Sequence, residues 1–485
     1  MADVIIKKVD DVNVQVLSDS SIAQEISDAF TFVVPGAKFI PSVRAKFWDG
    51  KIRMFNVNTR MIYTGLTKQV SDFCEVRDYT VEVDPDLQIK YSVDDEYLDD
   101  LIKEIKPKYE PRDYQRAAFL HAVNNNRAVM LSPTASGKSL IIYLLCRHYN
   151  MANDKVLVVV PTTSLVYQMR SDFVDYNHGK DLSIAIIMAG MDKTQSVDIT
   201  VSTWQSLKDM PKSWFSQFNV VIGDEAHQFK AKSLTDIMTK LTNCEHRFGF
   251  TGTLDGQFTN EMTLTGLFGP VFRVTSTKEL MDDNTLARLT IKALKLDYTD
   301  EEKKLLTKAK YQEEMDWIVN HPRRNRFIKN LCLNLEGNTL VLFQYVDKHG
   351  KVLYNDISNS VAESRKVFFI HGGVETIDRE ETRSIVETEK DAIIIASYGT
   401  YSTGINIKNL HNVVFASPTK SKIRSLQSIG RGLRTTDEKT TATLYDIFDD
   451  LRWKSHVNYT MNHFIERAKI YDEENFTYKI YNIKV

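Results

Sequence analysis

The stretch that most constrains this chain is Ser132-Pro133-Thr134-Ala135-Ser136-Gly137-Lys138-Ser139. It lies between the apolar run Ala128-Val129-Met130-Leu131 and the segment Leu140-Ile141-Ile142-Tyr143-Leu144-Leu145. That order reads as strand, tight loop, helix, with Gly-Lys-Ser where the helix begins. At such a turn backbone N–H groups cradle phosphate oxygens, a lysine reaches terminal phosphates, and a hydroxyl can complete a Mg²⁺ shell. The P-loop pattern opens with glycine, and this chain has Ser132 there. Gly-Lys-Ser after a strand also arises by chance, so the rest of the chain has to decide what the loop is.

The balance of 42% apolar and 26% charged residues over 485 positions is that of globular domains, two to four of them at this length. A net charge of −2 gives no global attraction to nucleic acid, so any such binding must come from local patches. Cys74, Cys146, Cys244 and Cys332 are scattered without paired spacing, which disfavours a zinc site or a disulfide framework and suits a reducing cytoplasm. Neither a signal-peptide pattern nor an apolar run of membrane-spanning length is found, so the expectation is a soluble cytoplasmic protein with no membrane partner.

The first ninety or so residues read as short β-rich pieces, Val12 to Leu17, Phe30 to Val34 and Ile52 to Val57, separated by turn signals such as Pro35-Gly36 and Asp49-Gly50. Between Lys38 and Arg60 the bases Lys38, Arg44, Lys46, Lys51, Arg53 and Arg60 face one acid, Asp49. Phe39, Phe47, Trp48 and Phe55 are interleaved with them. Strand alternation in Lys51-Ile52-Arg53-Met54 puts both bases on one face. Such a face can contact phosphates and stack on bases, with Arg44, Lys46, Trp48, Lys51 and Arg53 as the candidate contacts; a solvated strand face over a small core is the alternative. An acidic, helix-prone connector, Asp94-Asp95-Glu96 to Asp99-Asp100, marks a domain boundary.

From about Lys108 strands and helices alternate. Ala128–Leu131, Lys155–Val160, Ile184–Met188, Asp198–Ser202, Val220–Gly223 and Arg247–Phe250 are short apolar runs, mostly separated by helix-length sequence. That pattern predicts an α/β domain with a parallel sheet covered on both faces. A second series follows Leu289: Leu340–Phe343, Val367–Ile370, Ala392–Ala396, Val413–Ala416 and Ala442–Tyr445. Between the two, Thr299 to Leu335 is charged and helical with a break at Pro322. From Leu451 an aromatic-rich tail is too short for a domain and is expected to pack on the second one.

Val220-Val221-Ile222-Gly223-Asp224-Glu225-Ala226-His227 places paired acids directly after a buried strand, where ligands bind in open α/β sheets. Asp224 is expected to hold Mg²⁺ together with Ser139, and Glu225 to orient and deprotonate an attacking water. Acids that merely cap the next helix are the alternative. In Gln427-Ser428-Ile429-Gly430-Arg431-Gly432-Leu433-Arg434 the residues Gln427, Arg431 and Arg434 share one helix face, a clamp for a γ-phosphate or else a basic surface helix. Under the first reading the site is split between two domains, and hydrolysis depends on cleft closure.

With these three stretches in register the chain resembles the superfamily 2 helicases that carry a DEAH sequence. The likeness covers Lys108 to Asp446. In that family the opening position of the phosphate loop is variable, which accommodates Ser132. The resemblance implies tandem RecA-like domains and ATP with Mg²⁺ as cofactors. It assigns nucleotide contacts to Gln115 (in Pro111-Arg112-Asp113-Tyr114-Gln115), Ser136, Gly137, Lys138, Ser139, Asp224, His227, Gly404 and Asn406. It makes Glu225, Arg431, Arg434 and Gln427 catalytic. Backbone-gripping contacts fall on Pro161, Thr162, Thr203, Gln344 and Thr403, and Thr251-Gly252-Thr253 stands where the ATP site is coupled to the strand. Many members carry Asp where this chain has Asn406.

Within the superfamily the chain resembles a helicase of T-even-like bacteriophages, through Trp48-Asp49-Gly50-Lys51-Ile52-Arg53, Val174-Asp175-Tyr176, Lys212-Ser213-Trp214-Phe215-Ser216-Gln217-Phe218, Ala396-Ser397-Tyr398-Gly399 and Ser421-Lys422-Ile423. That likeness implies a DNA helicase or translocase acting on forks, Holliday junctions and R-loops in recombination, replication and repair. It also implies the host-cell cytoplasm as its location and phage recombination or replication proteins as candidate partners. An RNA helicase and the motor subunit of a restriction-type nuclease remain as alternatives, because backbone-gripping motifs carry little base identity. The expected domains are 1–95, a small N-terminal α/β DNA-binding domain; 96–285, the first RecA-like domain; 286–450, the second; and 451–485, a C-terminal extension.

Overall fold

The computed structural model describes residues 2–88, 92–188, 191, 197–229, 231–362, 364–373, 382, 384–404, 407, 409–419, 421, 425–426, 428–430, 433 and 440–485, with the side chains of 402–404 left undescribed. The chain divides into two compact units, residues 1–132 with 137–274, and residues 275–485 with 133–136.

The first unit begins with a four-stranded sheet ordered β5-β2-β1-β6, from β1 (Val4–Lys8), β2 (Asn13–Ser18), β5 (Met61–Tyr63) and β6 (Val81–Val83). A separate antiparallel ribbon pairs β3 (Thr31–Val33) with β4 (Lys51–Arg53). The strand expected over Ile52–Val57 therefore starts at Lys51 and ends at Arg53. Met54 and Phe55 turn into a core with Val4, Ile6, Val14, Ile26 and Leu66. The helix Asp95–Ile105, capped by the Asp94 side chain, buries Leu98, Leu101 and Ile105 in the core that follows.

That core belongs to a parallel sheet of seven strands ordered β13-β7-β12-β11-β8-β10-β9. In chain order these are β7 (Arg127–Leu131), β8 (Val156–Val160), β9 (Ile184–Ile187), β10 (Ile199–Thr203), β11 (Val220–Asp224), β12 (His246–Thr251) and β13 (Val271–Arg273). Every residue of β8, β10, β11 and β12 is buried, as a sheet with apolar cover on both faces requires. Met130, Val158, Ile222 and Phe250 pack on one face; Val129, Val159, Val221 and Phe268 pack on the other.

The second unit holds a seven-stranded parallel sheet ordered β16-β17-β15-β18-β19-β14-β20. Its strands are β14 (Arg288–Asp297), β15 (Thr339–Phe343), β16 (Val367–Ile370), β17 (Ile393–Ser397), β18 (Asn412–Phe415), β19 (Thr441–Asp450) and β20 (Tyr478–Lys484). The charged span is three helices, Asp300–Leu306, Tyr311–Asn320 and Pro322–Asn334, and Pro322 opens the last, where its missing N–H costs nothing. The aromatic tail supplies the helix Tyr459–Glu473 and β20, which pairs with β14. In the two large sheets sequence reading missed β13, β14 and β20: β14 and β20 carry charges along their length, and β13 is short and half exposed; in the small sheet it also left β1, β5 and β6 unmarked. The architecture is two seven-stranded parallel α/β sheets preceded by a small α/β domain.

Candidate nucleotide site and nucleic-acid contacts

Strand order makes the first cluster. β7, β12 and β11 are neighbours, and their carboxyl ends lead respectively into the phosphate loop, Thr251-Gly252-Thr253 and Asp224-Glu225. The Ser132 N–H donates to the Thr251 carbonyl at 2.8 Å, fastening the loop's start to the adjacent strand. Within the loop the Ser136 hydroxyl donates to the Pro133 carbonyl at 2.7 Å. Ala135 and Gly137 are left-handed at φ 68° and 76°.

Gly137 caps the helix Lys138–Met151, so Lys138 stands in its first turn, where backbone N–H groups have no partner one turn back within the helix. A β-carbon at residue 137 would meet Gln115 Nε2 at 2.3 Å. Gln115 is buried, and its side-chain oxygen accepts from the Arg112 N–H at 2.9 Å. A residue larger than glycine would push it away.

Lys138 Nζ lies 3.6 Å from Asp224 Oδ1 and 3.5 Å from Glu225 Oε1. Burial pulls the ammonium's pKa down, but the two carboxylates outweigh it and hold the group above its ordinary value. Burial pushes the Asp224 carboxyl up; Lys138 opposes that shift and Glu225 adds to it. Glu225 is left-handed at φ 52°, a conformation that costs a non-glycine residue about 1 kcal/mol and recurs at functional sites. His227 Nδ1 lies 3.0 Å from Thr251 Oγ1, which donates to the Thr253 carbonyl at 2.9 Å. His227 Nδ1 also lies 3.3 Å from Glu225 Oε2, which connects the acid pair to β12.

The donor set fits a nucleotide phosphate with a divalent cation. It offers an ammonium held between two acids, a helix N-terminus, a glycine cradle that a β-carbon would fill, and the Ser139 hydroxyl with the Asp224 carboxylate as oxygen ligands. Ser139 Oγ is engaged at 2.6 Å with the Tyr176 hydroxyl. Sequence reading gave Tyr176 no role at the site. Its neighbours in sequence carry no sign that it reaches the phosphate loop.

The candidate backbone contacts of the seven-stranded sheet in the first unit sit at carboxyl ends of its strands. Pro161 and Thr162 follow β8, and the Thr162 side chain caps the helix Thr163–Tyr176. Thr203 ends β10, buried, with Oγ1 3.0 Å from Ser206 Oγ. Gln205 Nε2 donates to the Pro161 carbonyl at 3.3 Å, tying these two segments together.

In the second unit Gln344 follows β15, exposed, and its N–H donates to Ser417 Oγ at 3.1 Å. Ser417 Oγ also lies 2.9 Å from His349 Nδ1. Thr403 and Gly404 end the helix Tyr398–Gly404. Asn406, Gln427, Arg431 and Arg434 lie outside the described residues.

On the ribbon β3–β4, Lys51 and Arg53 are exposed on one face while Ile52 and Met54 turn inward, as alternation predicts. Arg44 and Lys46 are exposed; Trp48 is half-buried, its indole N–H donating to the Lys51 carbonyl at 3.0 Å. Arg53 pairs with Asp49 at 2.5 Å, so part of its charge is already met. Phe55, grouped in the sequence with the basic stripe, is 1% exposed and belongs to the core, which removes it from any surface.

Three sequence families match in succession: "DNA helicase UvsW, N-terminal" over residues 3–84, "Type III restriction enzyme, res subunit" over 108–256, and "Helicase conserved C-terminal domain" over 323–436. The ATP-dependent DNA helicase uvsW of Enterobacteria phage T4 is 36% identical, with 96% of each chain covered. The DNA 3'-5' translocase XPB2 of Sulfurisphaera tokodaii is 24% identical over 75% of this chain and 87% of its own length. The crystal structure of T4 UvsW covers 99% of both chains at 34% identity, with a TM-score of 0.52. Part of a DNA-bound type ISP restriction-modification enzyme, LlaBIII, shares the fold at 17% identity and a TM-score of 0.56, over 78% of this chain and 32% of that one. Taken with the strand-end cluster around Lys138, these likenesses over nearly the whole length place the chain in the UvsW helicase family.

Proposed function

We propose that this ATP-hydrolysing enzyme is a DNA helicase or translocase that remodels branched DNA, such as forks, Holliday junctions and R-loops, in recombination, replication and repair. The observation that carries the reading is the cluster of Lys138, Asp224, Glu225, His227 and Thr251 at the carboxyl edge of a parallel sheet, in a chain alike to T4 UvsW from end to end. Lys138 holds the terminal phosphates, Ser139 and Asp224 supply ligands to Mg²⁺, and Gln115 reads the base. Bound Mg²⁺ neutralises charge on the phosphate oxygens.

Glu225 orients the attacking water and takes its proton, while Gln427, Arg431 and Arg434 stabilise the departing γ-phosphoryl charge. His227 passes the state of the acid pair to Thr251. Pro161, Thr162, Thr203, Gln344 and Thr403 grip the nucleic-acid backbone, and Gly404 and Asn406 complete the nucleotide contacts. Arg44, Lys46, Trp48, Lys51 and Arg53 contact DNA from the N-terminal domain. The proposed domains remain 1–95, 96–285, 286–450 and 451–485. The host-cell cytoplasm, with phage replication or recombination proteins as partners, follows from the likeness to a phage enzyme.

The test is ATP hydrolysis and unwinding measured side by side on fork, four-way junction, R-loop, linear duplex and duplex RNA. Faster hydrolysis with DNA and preferential unwinding of the branched substrates are expected. Equal stimulation by RNA, or no preference for branches, overturns the substrate assignment.

A further inference from the structure

Two of the most exposed large apolar side chains among the described residues are Phe47, at 88%, and Phe39, at 73%. Both lie on one excursion, residues 34–50, between β3 and β4. Its ends are closed by the Val34 N–H donating to the Gly50 carbonyl at 2.9 Å. The loop has an interior of its own: Ala37 is buried, and a β-carbon at Gly50 would meet the Ala37 side chain at 2.6 Å and Val43 at 3.5 Å. Pro41–Arg44 forms a helical turn, and the N–H groups of Phe47 and Trp48 both reach back to the Ser42 carbonyl, at 2.9 and 3.3 Å. A loop this self-contained fixes where its side chains go.

Lys46 is left-handed at φ 60°, an unfavourable conformation for lysine, at the residue just before the outward-facing phenyl ring of Phe47. Leaving two phenyl rings in water forfeits the burial that such side chains normally gain, and exposed apolar groups collected in one place mark interaction sites. The surroundings choose the occupant. Lys38, Arg44 and Lys46 on the loop and Lys51 on the adjoining strand are exposed, and the single acid, Asp49, is bonded to Arg53. Lys38 Nζ stands 5.1 Å from the Phe39 ring centroid, leaving the remainder of the ring open. Cations beside open aromatic faces match a polyanion that carries flat apolar rings.

We infer that Phe47 and Phe39 form a stacking platform for unpaired bases, so that the 34–50 loop distinguishes the single-stranded part of a branch from continuous duplex. In a duplex the base faces are already stacked on one another and offer such rings nothing, whereas an unpaired base exposes its π-face. The inference rests on the proposed DNA-binding reading of the N-terminal domain and adds to it the feature of DNA that the domain selects.

The test uses fork DNA with 2-aminopurine at the first unpaired position and a blunt duplex of equal length, titrated with the full chain. Phe47→Ala and Phe39→Ala should each lose about tenfold in fork affinity, change duplex affinity by less than about twofold, and abolish the quenching of 2-aminopurine on binding. Phe47→Trp should restore both fork affinity and quenching. Melting temperatures close to the parent's show that the variants fold, as the exposure of the rings predicts.

Unchanged fork affinity and quenching in both alanine variants overturns the inference and leaves the rings as a surface for a protein partner. Equal loss on fork and duplex overturns it too. The double variant Lys51→Glu with Arg53→Glu separates the two readings, because it should weaken binding to both substrates. If it does so while the alanine variants do nothing, only the stacking inference falls. If it has no effect either, the DNA-binding reading of this domain falls with it.

Discussion

A β-carbon on Gly65 would stand 2.0 Å from the carbonyl oxygen of Thr265, so the N-terminal domain meets the helix Phe258–Phe268 backbone against backbone. Tyr63 covers Gly266, Met262 sits in the N-terminal core, Phe32 meets Phe258 edge-on at 5.1 Å, and the Asp11 N–H donates to the Thr242 carbonyl at 3.0 Å. The same helix follows Thr251-Gly252-Thr253 in the chain. The basic ribbon is therefore docked on the sheet that carries the acid pair. Gly65→Ala has to move backbone and should destabilise the unit by at least about 1–3 kcal/mol. Denaturant unfolding of the two proteins checks it; an unchanged midpoint would mean that the contact yields freely.

Lys138→Ala removes the one cation that, among the described residues, lies within 4 Å of both Asp224 and Glu225, and Glu225→Gln keeps the shape of the side chain while removing the proposed base. Both should lower DNA-stimulated phosphate release by at least about a hundredfold, as expected for loss of a general base or of a phosphate-holding cation. Turnover near the parent's in either variant would dismiss this cluster as the catalytic one.

On the proposed reading the Tyr176 hydroxyl, 2.6 Å from Ser139 Oγ, competes with Mg²⁺ for that oxygen, and burial raises the Tyr176 phenol to about 12, so it stays protonated at every working pH. Tyr176→Phe removes a competing hydrogen bond with a net value of about 1 kcal/mol. Magnesium–nucleotide affinity should rise about two- to fivefold, read by titration with a fluorescent ATP analogue in Mg²⁺. Weaker affinity would mean that Tyr176 positions Ser139 for its ligand.

Burial lowers the pKa of His148 and of His246 from 6.5 to about 4. His148 Nδ1 lies 2.8 Å from the Tyr97 hydroxyl, and His246 packs on the Tyr149 ring with Arg127 repelling its charged form. The unfolded chain takes up these protons first, so the stability present above pH 6.5 is lost as pH falls toward 4. The loss is on the order of 3 kcal/mol per histidine at the limit. Urea midpoints at pH 7.5 and 5.0 should show this fall, and replacing His246 with Asn should shrink it.

Arg467 and Asp446 are paired with no exposure at 2.7 Å, with the Tyr471 hydroxyl donating to Asp446 and Arg467 donating to the Thr419 carbonyl. Arg467→Met leaves a buried, uncompensated carboxylate and should cost about 3–5 kcal/mol, whereas pairing it with Asp446→Leu should recover much of that loss. Thermal melts of the single and double variants decide it. A single variant as stable as the parent would show that water reaches the pair.

The sequence by itself determined the two α/β domains and the location of the acid pair. Strands buried on both faces, such as Val156–Val160 and Thr339–Phe343, must be continuously apolar, and the phosphate loop announces itself through glycine, lysine and a hydroxyl at fixed spacing. β20 was not legible because an edge strand with one wet side tolerates lysines and tyrosines, and its sequence, Tyr478–Lys484, looks like any polar tail. Only the tertiary structure separated Phe55 from Phe47. Both are phenylalanines beside bases, yet one is 1% and the other 88% exposed, because side-chain direction follows from where β4 ends and which core it meets. It alone also brought Tyr176 to Ser139 across 37 residues and Gly65 to Thr265. Local periodicity specifies elements, but such contacts depend on how elements pack, and no single segment encodes that.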